Sequence, residues 1–159
     1  MKVDPAALLA YARVVVDTNV LLSAALSPGG TPATLLDELL QVGKLVFSEA
    51  TFAELEGRVW LPKFDRYLTM DRRRRLLHEA NACAIWVVVP STSAERGFSR
   101  DPKDDAFIHA AIAAGASRLV TGDDDLLCLH PLGDLHILSP RDALEELAFR
   151  KPMNETETR

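Results

Sequence analysis

Arg13-Val14-Val15-Val16-Asp17-Thr18-Asn19-Val20-Leu21-Leu22 sets three consecutive valines directly before an aspartate and a second apolar run. β-Branched residues favour the pleated backbone, and an unbroken apolar triplet is the pattern of a strand buried on both faces. Four more runs of this kind follow at residues 44–47, 85–89, 118–121 and 135–138. Helical stretches are expected between and after them at 19–26, 32–42, 49–60, 70–84, 104–114 and 140–150. Thr31 is expected to cap the second helix with Pro32 at its first position, and Gly43 and Gly115 fall where left-handed C-caps form. Strands alternating with helices indicate an α/β fold whose parallel sheet is covered on both faces. In such sheets ligands bind outside the carboxyl ends of the strands, so polar residues at a strand-to-helix handover are the candidates for function.

A chain of 159 residues, 48% hydrophobic and 26% charged, has the make-up of one globular domain. The domain is expected to span residues 1–150, and the polar stretch 151–159, which begins beside the helix-breaking Pro152, is expected to be a disordered tail. A net charge of -5 excludes a protein that coats nucleic acid or membrane by bulk attraction, so any contact with a polyanion must be local. Cys83 and Cys128 stand far apart without a CxxC or Cys/His run, which supports neither a disulfide framework nor a zinc site and fits a reducing cytoplasm. The apolar stretch at residues 6–12 superficially resembles a short signal peptide, but Asp4 and Pro5 before it argue against export. No apolar run approaches the roughly 20 residues that cross a bilayer, and no membrane association is expected.

Acids fall at the handover points. Asp17 ends the first strand and is either a helix cap or a functional carboxylate. Glu54 lies in the helix after the second strand, where an i,i+4 pair with Arg58 is the plainer reading. Asp104 heads an apolar stripe of Phe107, Ile108, Ala111 and Ile112, whereas Asp105 is rotated by about 100° and reads as a first-turn acid supporting the helix dipole. The run Asp123-Asp124-Asp125 after the fourth strand exceeds what one cap requires. Acids from four segments thus converge on one sheet edge, where they would raise one another's pKa. A divalent cation relieves that conflict, all-oxygen ligands favour Mg²⁺ or Mn²⁺, and such ions promote hydrolysis of phosphate esters.

These motifs resemble, in order, those of the PIN-domain ribonucleases, and most closely the VapC-like toxins of bacterial toxin–antitoxin pairs. Val15-Val16-Asp17-Thr18-Asn19-Val20 is similar to the first motif and Thr51-Phe52-Ala53-Glu54-Leu55 to the second. Asp101-Pro102-Lys103-Asp104-Asp105 with Ala110-Ala111 is similar to the third, and the stretch from Gly115 through Thr121-Gly122-Asp123-Asp124-Asp125-Leu126-Leu127 to the fourth. The resemblance implies a Rossmann-like three-layer fold with a five-stranded parallel sheet flanked by helices. It implies catalytic carboxylates at Asp17, Glu54, Asp104 and Asp123, with Asp17, Asp104, Asp123 and Asp125 holding Mg²⁺ or Mn²⁺. It further implies endonucleolytic cleavage of single-stranded RNA, a homodimer and a cognate antitoxin protein. The extra acid at position 105 leaves either aspartate as the direct ligand.

Arg96, Arg100 and Lys103 lie in the loop leading to the acids and are placed to meet RNA phosphates. The run Arg72-Arg73-Arg74-Arg75, with Lys63 and Arg66 upstream, points around a helix axis and reads as a solvated face or a partner contact. His109 reads as an interior histidine with an ordinary hydrogen bond, and His78, His130 and His136 lack zinc spacing. Trp60, Phe64 and Tyr67 read as a buried or dimer-facing helical stripe. Three alternatives stand beside the toxin: a housekeeping PIN nuclease, a catalytically silent PIN-like binding module, and a haloacid-dehalogenase-like phosphatase. The last requires a second aspartate where this chain has Asn19.

Overall fold

The computed structural model describes residues 9–150, and the expected tail at 151–159 lies outside the described residues, as do the first residues of the signal-like stretch. Strands β1 (Arg13–Val16), β2 (Lys44–Phe47), β3 (Ile85–Trp86), β4 (Arg118–Val120) and β5 (His136–Leu138) form one parallel sheet. Their order is β3-β2-β1-β4-β5. β1 is central: β2 pairs on one side and β4 on the other, so the chain reverses its direction of winding between β1 and β4. That reversal opens the crevice in which α/β folds bind ligands.

The three valines of β1 divide between two cores. Val14 and Val16 pack with Leu21, Leu35, Leu39, Leu55 and Leu147 on one face, and Val15 packs with Phe107, Ile108, Leu119, Leu126 and Ile137 on the other. The first layer contains α1 (Thr18–Leu26), α2 (Thr31–Val42), α3 (Glu49–Val59), α4 (Met70–Cys83) and α8 (Pro140–Arg150). The second contains α6 (Pro102–Ala114) and the short α7 (Asp124–Leu127). A further short helix, α5 (Ser91–Ala94), precedes the loop into α6.

Several local expectations are corrected. β3 stops at Trp86 instead of running to Val89, because β2 ends at Phe47 and offers one last bond, Val87 N–H to Phe47 O at 2.9 Å. β4 ends at Val120 and β5 begins at His136, each one residue shorter than the apolar run. Gly30, not Thr31, is the N-cap of α2, which places Pro32 at the second helical residue. Gly43 ends α2 with extended backbone (φ -161°) and not in the left-handed region. Its glycine is explained by close approach, since a Cβ there would sit 1.8 Å from the Tyr11 carbonyl oxygen. Gly115 does take the left-handed conformation, with φ of 63°. α3 ends at Val59, before Leu61-Pro62, and a 3-10 turn follows at Pro62–Phe64. The residue before proline resists helical backbone. Trp60, Phe64 and Tyr67 therefore do not form one helical stripe, and Tyr67 is exposed.

Gly43→Ala is expected to destabilise the fold by about 1–3 kcal/mol, as overpacking does, and to lower the melting midpoint by roughly 4–10 °C. Gly115→Ala should cost only about 1 kcal/mol, the penalty of one left-handed residue. Thermal denaturation of both variants checks this. Wild-type melting of Gly43→Ala would show that the β1 and β2 approaches are not locked together there.

Candidate active site

Parallel pairing of β1 with β4 sets Val16 opposite Val120, so the next residues, Asp17 and Thr121, meet at the carboxyl ends. The Asp17 amide donates to Val120 O at 2.9 Å, and the Thr121 hydroxyl donates to Asp17 Oδ2 at 2.7 Å. Asp17 also caps α1, its Oδ1 accepting from the Asn19 amide at 3.3 Å. The carboxylate is only 4% exposed, and this burial raises its pKa, with Asp123 adding to the rise while Thr121, Asn19 and Arg58 oppose it. Thr121 was not singled out in the sequence, although the register of two adjacent parallel strands would have placed it beside Asp17.

Beyond β4 the chain turns through Gly122, and the Asp123 amide donates back to Thr121 Oγ1 at 3.0 Å. Asp123 caps α7 by accepting from the Asp125 amide at 2.9 Å. Asp124 faces solvent, whereas Asp123 and Asp125 are half-buried. Asp104, in the first turn of α6, completes the group: one carboxylate oxygen each from Asp104, Asp123 and Asp125 lies within 4.8 Å of the others. Partial burial, and then the charges of Asp123, Asp101 and Asp17, raise the Asp104 pKa to about 7. Glu54 stands to one side on α3, where burial and then Asp17 raise its pKa. Arg58, 3.5 Å from Glu54, and Lys103 oppose that rise. Of the expected acids, the structure gathers Asp104, Asp123 and Asp125 into one cluster, with Asp17 and Glu54 coupled to it through charge. A half-buried set of carboxylate oxygens, in which burial and the neighbouring charges raise the pKa of Asp104, suits a hard divalent cation.

Asp105 is not the outward dipole acid expected. It is 4% exposed, and its Oδ1 accepts from the amides of Phe98 at 3.2 Å and Ser99 at 2.7 Å. α6 begins two residues earlier than the apolar pattern suggested, capped by Asp101 with Pro102 in its first turn. The buried face follows Phe107, Ile108, Ala110, Ala111 and Ala114, while Ile112 is exposed. Asp105 thus turns inward under the loop, and Asp104 is the member of the pair that joins the acids.

That loop is held from below by His109, whose Nε2 lies 2.6 Å from Arg96 O. The hydrogen bond is the ordinary one expected of an interior histidine. The Arg96 guanidinium stacks 4.7 Å over the Phe98 ring. Arg96, Arg100 and Lys103 are all exposed, and of these Lys103 acts on Glu54. The arginine run is not a uniformly solvated face. Arg73 is 4% exposed, pairs with Asp65 at 3.0 Å and lies 5.7 Å from the Trp60 ring, because its helix packs against the turn after α3. Arg72 donates to Ala25 O at 2.9 Å, joining α4 to α1.

A switch-point crevice lined by clustered carboxylates defines an α/β domain with an acidic pocket at the carboxyl ends of its strands. The chain belongs to the PIN domain family, whose model matches residues 13–125. It is 28% identical over 143 residues to the uncharacterized protein MJ1680 of Methanocaldococcus jannaschii, covering 84% of this chain and 90% of that one. The fold is shared with PAE2754 from Pyrobaculum aerophilum at a TM-score of 0.57 and 20% identity, covering 87% of this chain and 91% of that chain. It is shared too with VapBC2 from Rickettsia felis, bound to a DNA fragment from their promoter. There the TM-score is 0.56 at 16% identity, covering 80% of this chain and 98% of that chain.

The raised acids tie metal-free stability to pH. Asp104 ionises near 3.9 in an unfolded chain and at about 7 in the fold, so its contribution is full below pH 4 and is lost as pH rises through 7. Asp17 and Glu54 shift in the same direction. In chelator, Asp104→Asn should therefore gain on wild type between pH 5 and pH 8, by roughly 2–4 °C for a partly solvated group. A difference in melting midpoint that stays flat across this range would refute the coupling.

Proposed function

We propose that the chain is a divalent-cation-dependent endoribonuclease that cuts single-stranded RNA and acts as the VapC-like toxin of a toxin–antitoxin pair. The observation that carries this reading is the cluster of Asp104, Asp123 and Asp125 within 4.8 Å at the sheet's switch point. Membership of the PIN domain family sets the phosphatase alternative aside. The toxin role draws support from the fold shared with VapBC2 of Rickettsia felis and from the motif order described above. A cognate antitoxin and a second copy of the chain are the partners this reading assigns. The exposed, unpaired Cys83 and Cys128 suit a reducing cytoplasm, and no helix among the described residues is long and apolar enough to cross a membrane.

Asp104, Asp123 and Asp125 would hold Mg²⁺ or Mn²⁺, with Asp17 contributing from beneath. A bound ion of this class polarises the phosphodiester and lowers the pKa of water. Asp17 is held in place by the Thr121 hydroxyl and the Asn19 amide. Glu54, raised in pKa by burial and by Asp17, lies outside the cluster and would take a proton from an attacking water. Lys103 stands near enough to Glu54 to favour its ionised form, which keeps that proton acceptor available. The exposed Arg96, Arg100 and Lys103, in the segment leading to Asp104, would supply local positive charge for the phosphates.

Cleavage of single-stranded RNA should require Mg²⁺ or Mn²⁺, and Asp17→Asn or Asp104→Asn should lower it by about 100-fold or more. Gel analysis of labelled RNA with and without chelator is the measurement, and undiminished cutting in excess chelator would remove the metal from the mechanism.

Because the chain carries a net charge of -5, phosphate affinity must come from these local groups. Arg100→Ala with Lys103→Ala should weaken RNA binding and reduce its salt dependence by about one to two counterions. Anisotropy titrations at several salt concentrations check this. A wild-type slope in the double variant would exclude both residues from the RNA path.

A further inference from the structure

Between α3 and α6, the helices that carry Glu54 and Asp104, the structure opens a cavity of about 530 Å³. Its walls are Ala50 and Ala53 of α3, Val87 after β3, and Ala106 and His109 of α6, with the exposed Glu49 among the lining side chains. On α3 and α6 the lining positions are Glu49, Ala50, Ala53, Ala106 and His109, and the three alanines leave much of that wall without a large side chain. Both helices that wall the cavity also carry the acids. Glu54 directly follows Ala53, Lys103 lies one helical turn before Ala106, and Glu54 and Lys103 sense each other's charge. On the far side, Ala94 also lines the space, and two residues later Arg96 lies over Phe98. His109 is fixed in the wall by its bond to Arg96 O at 2.6 Å.

We propose that this cavity is a nucleobase subsite, taking one unstacked base with an exocyclic amino group from the RNA strand whose phosphate lies at the acids. The inference rests on the nuclease reading above and names how that site would select its substrate. A base has apolar faces and a polar edge, and single-stranded RNA is recognised by splaying such bases into pockets. The alanine and valine walls and the His109 ring suit the faces. Glu49 is an acceptor only, so it suits the amino group of adenine, cytosine or guanine, whereas the one donor of uracil, N3–H, is flanked on both sides by the acceptors O2 and O4 that repel a carboxylate. Lys103 and Arg96 flank the space with positive charge, which matches the phosphates on either side of an inserted base. An extended peptide fits less well, because its backbone N–H and C=O groups would face apolar walls without partners.

The test uses the full-length Asp104→Asn protein with Mg²⁺, so that RNA is bound without being cut, and fluorescently labelled pentamers of oligo(A), oligo(C) and oligo(U). Oligo(A) and oligo(C) should bind about tenfold more tightly than oligo(U). Ala53→Phe, at an exposed helical position, should bring all three to the oligo(U) affinity, and Glu49→Gln should shrink the preference. Melting midpoints confirm that each variant is folded. Equal affinity for the three pentamers would overturn the subsite. So would a folded Ala53→Phe protein with an unchanged preference, or one impaired only in binding a protein inhibitor. The nuclease reading fails separately: base-dependent binding by a wild-type protein that cuts no RNA would keep the subsite and remove the enzyme, while cleavage without any base preference would do the reverse.

Discussion

The bond from the Thr121 hydroxyl to Asp17 Oδ2, made possible by the β1–β4 register, is the constraint on which the site depends. It joins the ends of the two strands between which the winding reverses. One threonine oxygen serves both sides of the crevice, donating to Asp17 and accepting from the Asp123 amide. Through it the first and fourth acidic segments are set relative to each other by the sheet and not by a mobile loop. Asp104 then has only to be delivered from the helix that covers the same face, and the packing of Phe107 and Ile108 against Val15 does this.

Gathering acids in this way carries an electrostatic cost, which the fold offsets with helix ends. Asp17 caps α1, Asp101 caps α6 with Asp104 in its first turn, and Asp123 caps α7 with Asp125 in its first turn. The N-termini of α1 and α6 direct their positive ends toward the carboxylates, and α7 adds oriented amide groups. Capping and function are therefore not competing explanations for these aspartates. Asp123 meets the Asp125 amide and still contributes an oxygen to the cluster, whereas both oxygens of Asp17 are engaged, by the Asn19 amide and the Thr121 hydroxyl. The offset is incomplete, as the rise of Asp104 to about 7 records, and that residual strain makes the cluster receptive to a cation.

The central strand was legible because three valines must be buried on both faces, and the acids were legible because each follows a strand or opens a helix. What the sequence did not show follows from tertiary placement. Helical rotation counted from a stripe that includes Ile112 turns Asp105 outward, whereas the structure leaves Ile112 exposed and Asp105 buried. Four adjacent arginines give no hint that Arg73 is covered by the turn holding Trp60 and Asp65. A glycine at a helix C-terminus reads first as a left-handed cap, whereas the reason for Gly43 lies in the Tyr11 carbonyl, more than thirty residues away in sequence. Thr121 carries no charge, and only strand pairing reveals its partner.

α6 joins the acidic cluster to the loop that bears Arg96 and Arg100. Within seven residues it carries Lys103 and Asp104 toward the acids, and Asp105 and His109 toward the loop that bears Arg96 and Arg100. Both loop anchors are buried, so the loop is fixed to the same rigid helix as the acid with the most strongly raised pKa. Cations and carboxylates that move as one body keep a constant spacing, which long-range attraction cannot supply to a chain of net charge -5. Under the proposed nuclease function, local positive charge on a rigid mount would let an acidic domain hold a phosphate chain while keeping its carboxylate cluster.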